Sequence, residues 1–96
     1  MKSEKVKLTI KFYGSSYHIV GQKELNLEFN EKPSFTDILK TICSLTQSYE
    51  LCTLFQSYPY PSRYLILLNG RPIYELEHLK LKNGDEITIV DIVSGG

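Results

Sequence analysis

The sequence predicts an α+β domain, a mixed sheet of four to five strands with one main helix packed on one face. Three observations predict it. Apolar residues alternate with period two near the start of the chain and again at its end. One central stretch changes to spacings of three and four, the period of an amphipathic helix. Strong turn signals, Gly14-Ser15-Ser16, Asn69-Gly70 and Asn83-Gly84-Asp85, separate these segments. The 96 residues favour a single domain with one core. There are no internal repeats and no low-complexity segment.

Val6, Leu8, Ile10 and Phe12 alternate with Lys5, Lys7, Thr9, Lys11 and Tyr13, giving a half-buried first strand with a basic outer face. Gly14-Ser15-Ser16 ends it. Residues 17–23, interrupted by Gly21, are expected to form a wide connecting loop. Leu25, Leu27 and Phe29 against Glu24, Asn26, Glu28 and Asn30 make a second strand, so the chain opens with a hairpin. Ser34 and Asp37 then have the spacing of a capping box, with aspartate in place of the usual glutamate. Phe35, Ile38, Leu39, Ile42, Leu45 and Tyr49 form the buried stripe of a helix over 35–49.

Residues 51–55 read as a turn or helical extension on the core. The prolines at 59 and 61 make 56–62 a tyrosine-rich surface loop, read as a stiff connection. Tyr64–Leu68 is apolar on both faces, and Asn69-Gly70 turns the chain. Arg71 to Tyr74 can return as an edge strand. Leu76, Leu79 and Leu81 tuck a connecting segment under the sheet. After Asn83-Gly84-Asp85 a final strand over 86–92 sets Ile87 and Ile89 on one face and Thr88, Val90 and Ile92 on the other.

Composition removes several classes of function. Eleven basic residues balance eleven acidic ones, so net charge argues neither for nor against nucleic acid, and no direct binding to it is expected. The longest apolar run is far too short to span a bilayer, and the first residues lack the apolar stretch of a signal peptide. A soluble, cytoplasmic protein is the expectation. Cys43 and Cys52 do not have the spacing of a redox or zinc pair and are expected to be small buried or half-buried thiols. His18 and His78 lie far apart, with no Ser/His/Asp order and no metal-ligand spacing. Neither a catalytic triad nor a metal site is predicted, and an enzyme built on Cys43 or Cys52 lacks a paired base.

One helix covers one face of the sheet. If Ile66 and Leu68 point inward, Leu67 points outward, where Val90 and Ile92 join it beside Lys5, Lys7 and Lys11. An apolar patch rimmed by charge is a common form for a protein contact.

The last feature is the end, Val93-Ser94-Gly95-Gly96. A terminal Gly-Gly arises by chance in roughly one chain in two hundred. Here it follows a strand directly. The stretch 67–96, LLNGRPIYELEHLKLKNGDEITIVDIVSGG, resembles the ubiquitin-like β-grasp sulfur carriers: the molybdopterin synthase small subunit, the thiamine-pathway carrier and the archaeal ubiquitin-like modifiers. The resemblance rests on Asn69-Gly70, Leu81, Gly84-Asp85-Glu86, the apolar strand after them, and Gly95-Gly96. The rest of the chain is compatible in pattern. Where molybdopterin-synthase subunits often carry a proline pair, this chain has Asp91-Ile92, and it is longer than the compact carriers through 49–63.

The resemblance implies a β-grasp domain over 1–92 and a flexible tail over 93–96. It implies a reactive carboxylate on Gly96, with Gly95 beside it, and partner binding through Leu67, Val90, Ile92, Val93 and Ser94. An E1-like enzyme would adenylate that carboxylate using ATP and magnesium, and a sulfur donor would convert it to a thiocarboxylate. The sulfur would pass to molybdopterin, thiamine or tRNA thiolation, through a molybdopterin synthase large subunit or a tRNA-thiolation enzyme. The chain itself would bind no cofactor and would be a carrier, not an enzyme. Two other readings are a modifier conjugated to lysines and a β-grasp binding module that is never activated. The physical logic of the tail is direct: residues without Cβ make the thinnest thread into another protein's active site, and four extended residues reach roughly 13 Å.

Overall fold

The computed structural model describes residues 5–46, 64–75 and 79–91. Five strands form one sheet in the order β2-β1-β5-β3-β4, where β1 is Val6–Phe12, β2 Glu24–Phe29, β3 Tyr64–Leu68, β4 Arg71–Ile73 and β5 Glu86–Asp91. The opening hairpin is antiparallel, β3 runs antiparallel to both β4 and β5, and β1 and β5 are parallel at the centre. That mixed topology is the one expected of a ubiquitin-like β-grasp domain.

The period-two reading holds residue by residue. Val6, Leu8, Ile10 and Phe12 of β1, Ile87 and Ile89 of β5, and Tyr64 and Ile66 of β3 are all buried on one face. The register explains why: Ile10 pairs with Ile87, Phe12 with Ile89, and Ile66 with Ile89, and directly paired residues share a face. Helix α2, Phe35–Thr46, lays Phe35, Ile38 and Ile42 onto that face. Leu81 is buried in the same cluster, and Leu79 packs against it. Leu76 lies outside the described residues.

Leu45 departs from the expected stripe and is 58% exposed. It stands at the edge of the apolar arc in the last described turn of α2. The helix is described to Thr46, and residues 47–49 of the expected helix lie outside the described residues. The segments 51–55 and 56–62 also lie outside them. Cys43 is disulfide-bonded, not the free thiol expected from the sequence. Cys52, the other cysteine of the chain, lies outside the described residues.

The start of α2 follows the capping box. The Ser34 N–H donates to Asp37 Oδ2 at 3.0 Å, and the Asp37 N–H donates to Ser34 Oγ at 3.1 Å. Hydrogen bonding to the Ser34 backbone N–H, and then to the Ser34 side chain, holds the Asp37 carboxyl below its ordinary value of 3.8. Lowering in the folded state means a stabilising contribution that is complete above the unfolded value and fades as pH falls through the folded one. Asp37→Ala is therefore expected to lower the melting temperature slightly at neutral pH. The gap from wild type should close as the pH is taken from about 5 towards about 1, followed by circular dichroism.

The expected wide loop after β1 is in fact a short helix, α1, Ser15–Val20. Glycines in left-handed backbone, Gly14 at φ 67° and Gly21 at φ 81°, bracket it. Tyr17, Ile19 and Val20 pack against the core, and Ser16 is fully buried, its hydroxyl donating to the Tyr13 and Ile89 carbonyls. Tertiary contacts, not local propensity, hold this helix.

At the opposite end of β5 the turn residues Asn69 and Asp85 interlock. Asn69 is the non-glycine residue with positive φ, at 51°, among the described residues. Its backbone N–H donates to the Glu86 carbonyl at 2.8 Å, while its Oδ1 accepts from the Glu86 N–H at 2.9 Å. Its Nδ2 donates to Asp85 Oδ1 at 3.0 Å, and Asp85 Oδ2 accepts the Lys82 N–H at 2.9 Å. The clamp ties the β3–β4 turn to the start of β5.

Candidate functional site

The sheet face away from α2 follows from the same register. Leu65 pairs with Val90, and Leu67 with Thr88 on one side and Pro72 on the other. All five alternate with core residues, so they share the outward face. Leu65, Leu67 and Val90 are half-buried, and Pro72 is exposed. Tyr13, just past β1, is 53% exposed. The result is an apolar strip across β5, β3 and β4. Thr88 at its centre is only 6% exposed, enclosed although it faces outward.

Charge borders the strip. Lys11 pairs in register with Thr88, and its Nζ lies 3.1 Å from Glu86 Oε1. The hydrogen bond to Glu86, and then its negative charge, raise the Lys11 pKa above its ordinary value. Further out, Lys5 Nζ lies 3.1 Å from Glu28 Oε2. Both pairs are solvent-exposed and contribute little to stability, but they mark where the apolar surface stops.

Of the residues expected from sequence, Leu67 and Val90 therefore stand together on the outward face. Ile92, Val93, Ser94, Gly95 and Gly96 lie outside the described residues. Sequence reasoning left Leu65, Pro72 and Tyr13 unassigned to the strip. For Leu65 the signal was the strand apolar on both faces, but choosing its register requires the pairing with β5.

The root of the final segment has its own construction. Asp91, the last residue of β5, turns its carboxylate into the corner where β1 meets α1. The Ser15 N–H donates to both oxygens, at 3.2 and 3.1 Å, and Ser15 Oγ donates to Oδ1 at 2.8 Å. Ser15 Oγ also lies 3.0 Å from the Tyr64 hydroxyl. Gly14 permits the approach: a Cβ there would come within 2.8 Å of Asp91 Oδ2. Among the described residues no three His, Cys, Asp or Glu side chains gather as a metal site, and no helix is long and apolar enough to cross a membrane.

Comparison with known proteins agrees with this layout. The sequence profile of the ThiS family matches residues 10–96. No curated protein sequence matches the chain significantly. Among solved structures, the HVO 2177 protein of Haloferax volcanii superposes with a TM-score of 0.72 at 21% identity, over 96% of this chain and 88% of that one. Small archaeal modifier protein 1 from Methanosarcina acetivorans gives 0.66 at 24% identity, over 97% and 99%. A chain of the complex of subunits 1 and 2 of molybdopterin-converting factor from Helicobacter pylori gives 0.60 at 20%, over 95% and 100%. These likenesses establish the β-grasp fold. The profile match covers nearly the whole chain, runs through the Gly-Gly pair, and shows that this chain belongs to the ThiS family of ubiquitin-like carriers.

Proposed function

We propose that this protein is a sulfur carrier whose Gly96 carboxylate is activated inside an E1-like enzyme. The observation that carries the reading is the family match through Gly96. A carboxylate is a poor electrophile. Attack of its oxygen on the α-phosphate of magnesium-bound ATP would form an acyl-adenylate and release pyrophosphate. A sulfide nucleophile from a donor would then attack the acyl carbon and expel AMP to leave the thiocarboxylate. The partner supplies ATP, magnesium and catalytic groups. This chain supplies a docked domain over 1–92, a slender tail over 93–96, and the reacting atoms.

The outward strip is the proposed docking face, with Leu67 and Val90 at its centre and Ile92, Val93 and Ser94 guiding the tail. Apolar groups ringed by exposed charge suit a contact that must form and release. The likeness to a chain of the Helicobacter complex, whose name pairs a subunit 1 with a subunit 2, makes a large-subunit acceptor one candidate destination for the sulfur.

The test is intact mass after incubation with the cognate E1-like enzyme, ATP, magnesium and a sulfur donor. The expected product is heavier by the exchange of one oxygen for sulfur. A lysine isopeptide in its place would assign the chain to protein modification. Neither an adenylate nor a thiocarboxylate with a verified partner would leave only the reading of a plain binding module. On the docking face, Val90→Asp puts a charge into the apolar strip. It is expected to weaken E1 binding by about 1–2 kcal/mol, roughly tenfold in Kd by calorimetry. The melting temperature should stay near that of wild type, since Val90 faces away from the core.

A further inference from the structure

We propose that Asp91 is a positioning residue that seats the end of β5 in the β1–α1 corner, and so fixes the point from which the segment carrying Gly96 departs. The inference rests on the carrier reading for its functional consequence, but not for its geometry.

The geometry is unusual for a strand end. On one side β5 remains paired to the last, since Asp91 stands opposite Tyr64 of β3. On the other side the ladder to β1 finishes earlier, with the Tyr13 N–H donating to the Ile89 carbonyl at 3.0 Å. Gly14 then turns the chain away into α1. A strand held on one edge only can pivot about that edge. The three hydrogen bonds from Ser15 to the Asp91 carboxylate close the open side.

The chemistry of the hold is specific. Gly14 stands at the helix N-cap and has no side chain to cap with, so the first N–H of α1 would lack an intrahelical partner. An aspartate distant by 76 residues in sequence supplies the cap, its negative charge set at the positive end of the helix. Bonds to an ionised acceptor are among the stronger ones available to the chain. The Tyr64 hydroxyl, 3.0 Å from Ser15 Oγ, joins β3 to the same corner. Three elements thus converge on the final described residue of β5.

The consequence is kinetic. Gly96 lies five residues beyond Asp91. A root free to swing spreads the far end of the chain over a wide cone and lowers its effective concentration at the partner's reacting atoms. A seated root narrows the cone before docking. Docking affinity, set by the outward strip, should not change.

The test uses the full-length protein with Asp91→Ala, Asp91→Asn and Ser15→Ala. Amide heteronuclear NOE values at Ile92 and Val93 need no partner. The second readout is kcat and KM for pyrophosphate release by the cognate E1-like enzyme. Asp91→Ala is expected to lower both NOE values and to reduce kcat about tenfold, with KM within about twofold of wild type. Asp91→Asn keeps an oxygen for the Ser15 N–H and should stay within about threefold. Ser15→Ala should reduce kcat on its own and add nothing to Asp91→Ala, because the hydroxyl then has no carboxylate to hold.

Unchanged NOE values and kcat in folded Asp91→Ala overturn the proposal. So does an effect confined to KM, which would place Asp91 in the docking surface. If Asp91→Ala does not fold, Ser15→Pro decides, since proline at the first helical position removes both the N–H and the hydroxyl: unchanged NOE values at Ile92 and Val93 reject the anchor. If the wild type releases no pyrophosphate, the carrier reading falls, and the NOE comparison still judges the anchor by itself.

Discussion

Deleting Gly96 should abolish thiocarboxylate formation while leaving the fold intact. The deletion leaves a carboxylate, now on Gly95, so it removes no functional group. It moves that group back along the tail by roughly 3.3–3.6 Å, one residue of extended chain. Reaction in a bound complex requires the attacking atoms at about 3–3.5 Å, and a misplacement of about 1 Å can cost two orders of magnitude. The expected loss is therefore at least about a hundredfold in kcat/KM for pyrophosphate release. Adding one glycine beyond Gly96 should do comparable damage by the same argument. Gly95→Val tests the other requirement, slenderness. Its branched Cβ should block a channel that fits bare backbone, and Gly95→Ala should be milder. None of these changes touches the described core, whose last buried apolar residue is Ile89. Melting temperatures should match wild type. A Gly96 deletion activated as fast as wild type would show that the position of the carboxylate is not what the partner reads.

Much of the frame was legible in the sequence because its signals are local and periodic. Four apolar residues of β1 and two of β5 alternate cleanly, and all six are buried. The capping box of α2 lies within four residues and forms both reciprocal bonds. Helix α1 was not legible. Its six residues, SSYHIV, sit between two glycines and include two β-branched side chains, which reads locally as loop. What makes them helical is a cap from Asp91 and the burial of Ser16 against Ile89, both more than seventy positions away. The outward strip was half legible. Alternation set Val90 apart from Ile89, but Tyr64–Leu68 is apolar at every position, and only the pairing of Ile66 with Ile89 assigns Leu65 and Leu67 to the outer face. Asp91 was legible as a departure from the proline pair of similar proteins, not as an anchor. The disulfide at Cys43 was not legible either, because spacing alone does not report distance in the fold.

Asp85→Ala is expected to be among the most destabilising single changes outside the apolar core, although Asp85 belongs to the stretch that carries the family resemblance. The side chain is 4% exposed. Its two oxygens each hold a separate partner, Asn69 Nδ2 and the Lys82 N–H. Alanine removes both acceptors, and the part-buried bonds from the exposed residues Asn69 and Lys82 are lost, at about 1.5–3 kcal/mol for each bond to a carboxylate before water replaces it. Partial rescue by water brings the expected loss to roughly 2–3 kcal/mol. For a domain of this length that lowers the melting temperature by about 8–20 °C. The Asp85 carbonyl also accepts the Thr9 N–H at 3.1 Å, and Gly84 N–H donates to the Lys7 carbonyl at 2.8 Å, so loosening the turn is felt in β1 as well as in β5. Asn69→Ala should be comparably costly, since it loses the bonds to Asp85 and Glu86 and must keep a left-handed backbone without them. The double variant should fall well short of the sum, because each residue is the other's partner. Activity separates this role from a catalytic one. Assayed well below the melting temperature, the folded fraction of Asp85→Ala should be activated at the wild-type kcat, since the clamp stands at the start of β5 and the proposed reacting residue, Gly96, follows the other end of β5 in the sequence. A stable Asp85→Ala with depressed kcat would mean instead that the Asn69–Asp85 turn takes part in the encounter with the partner.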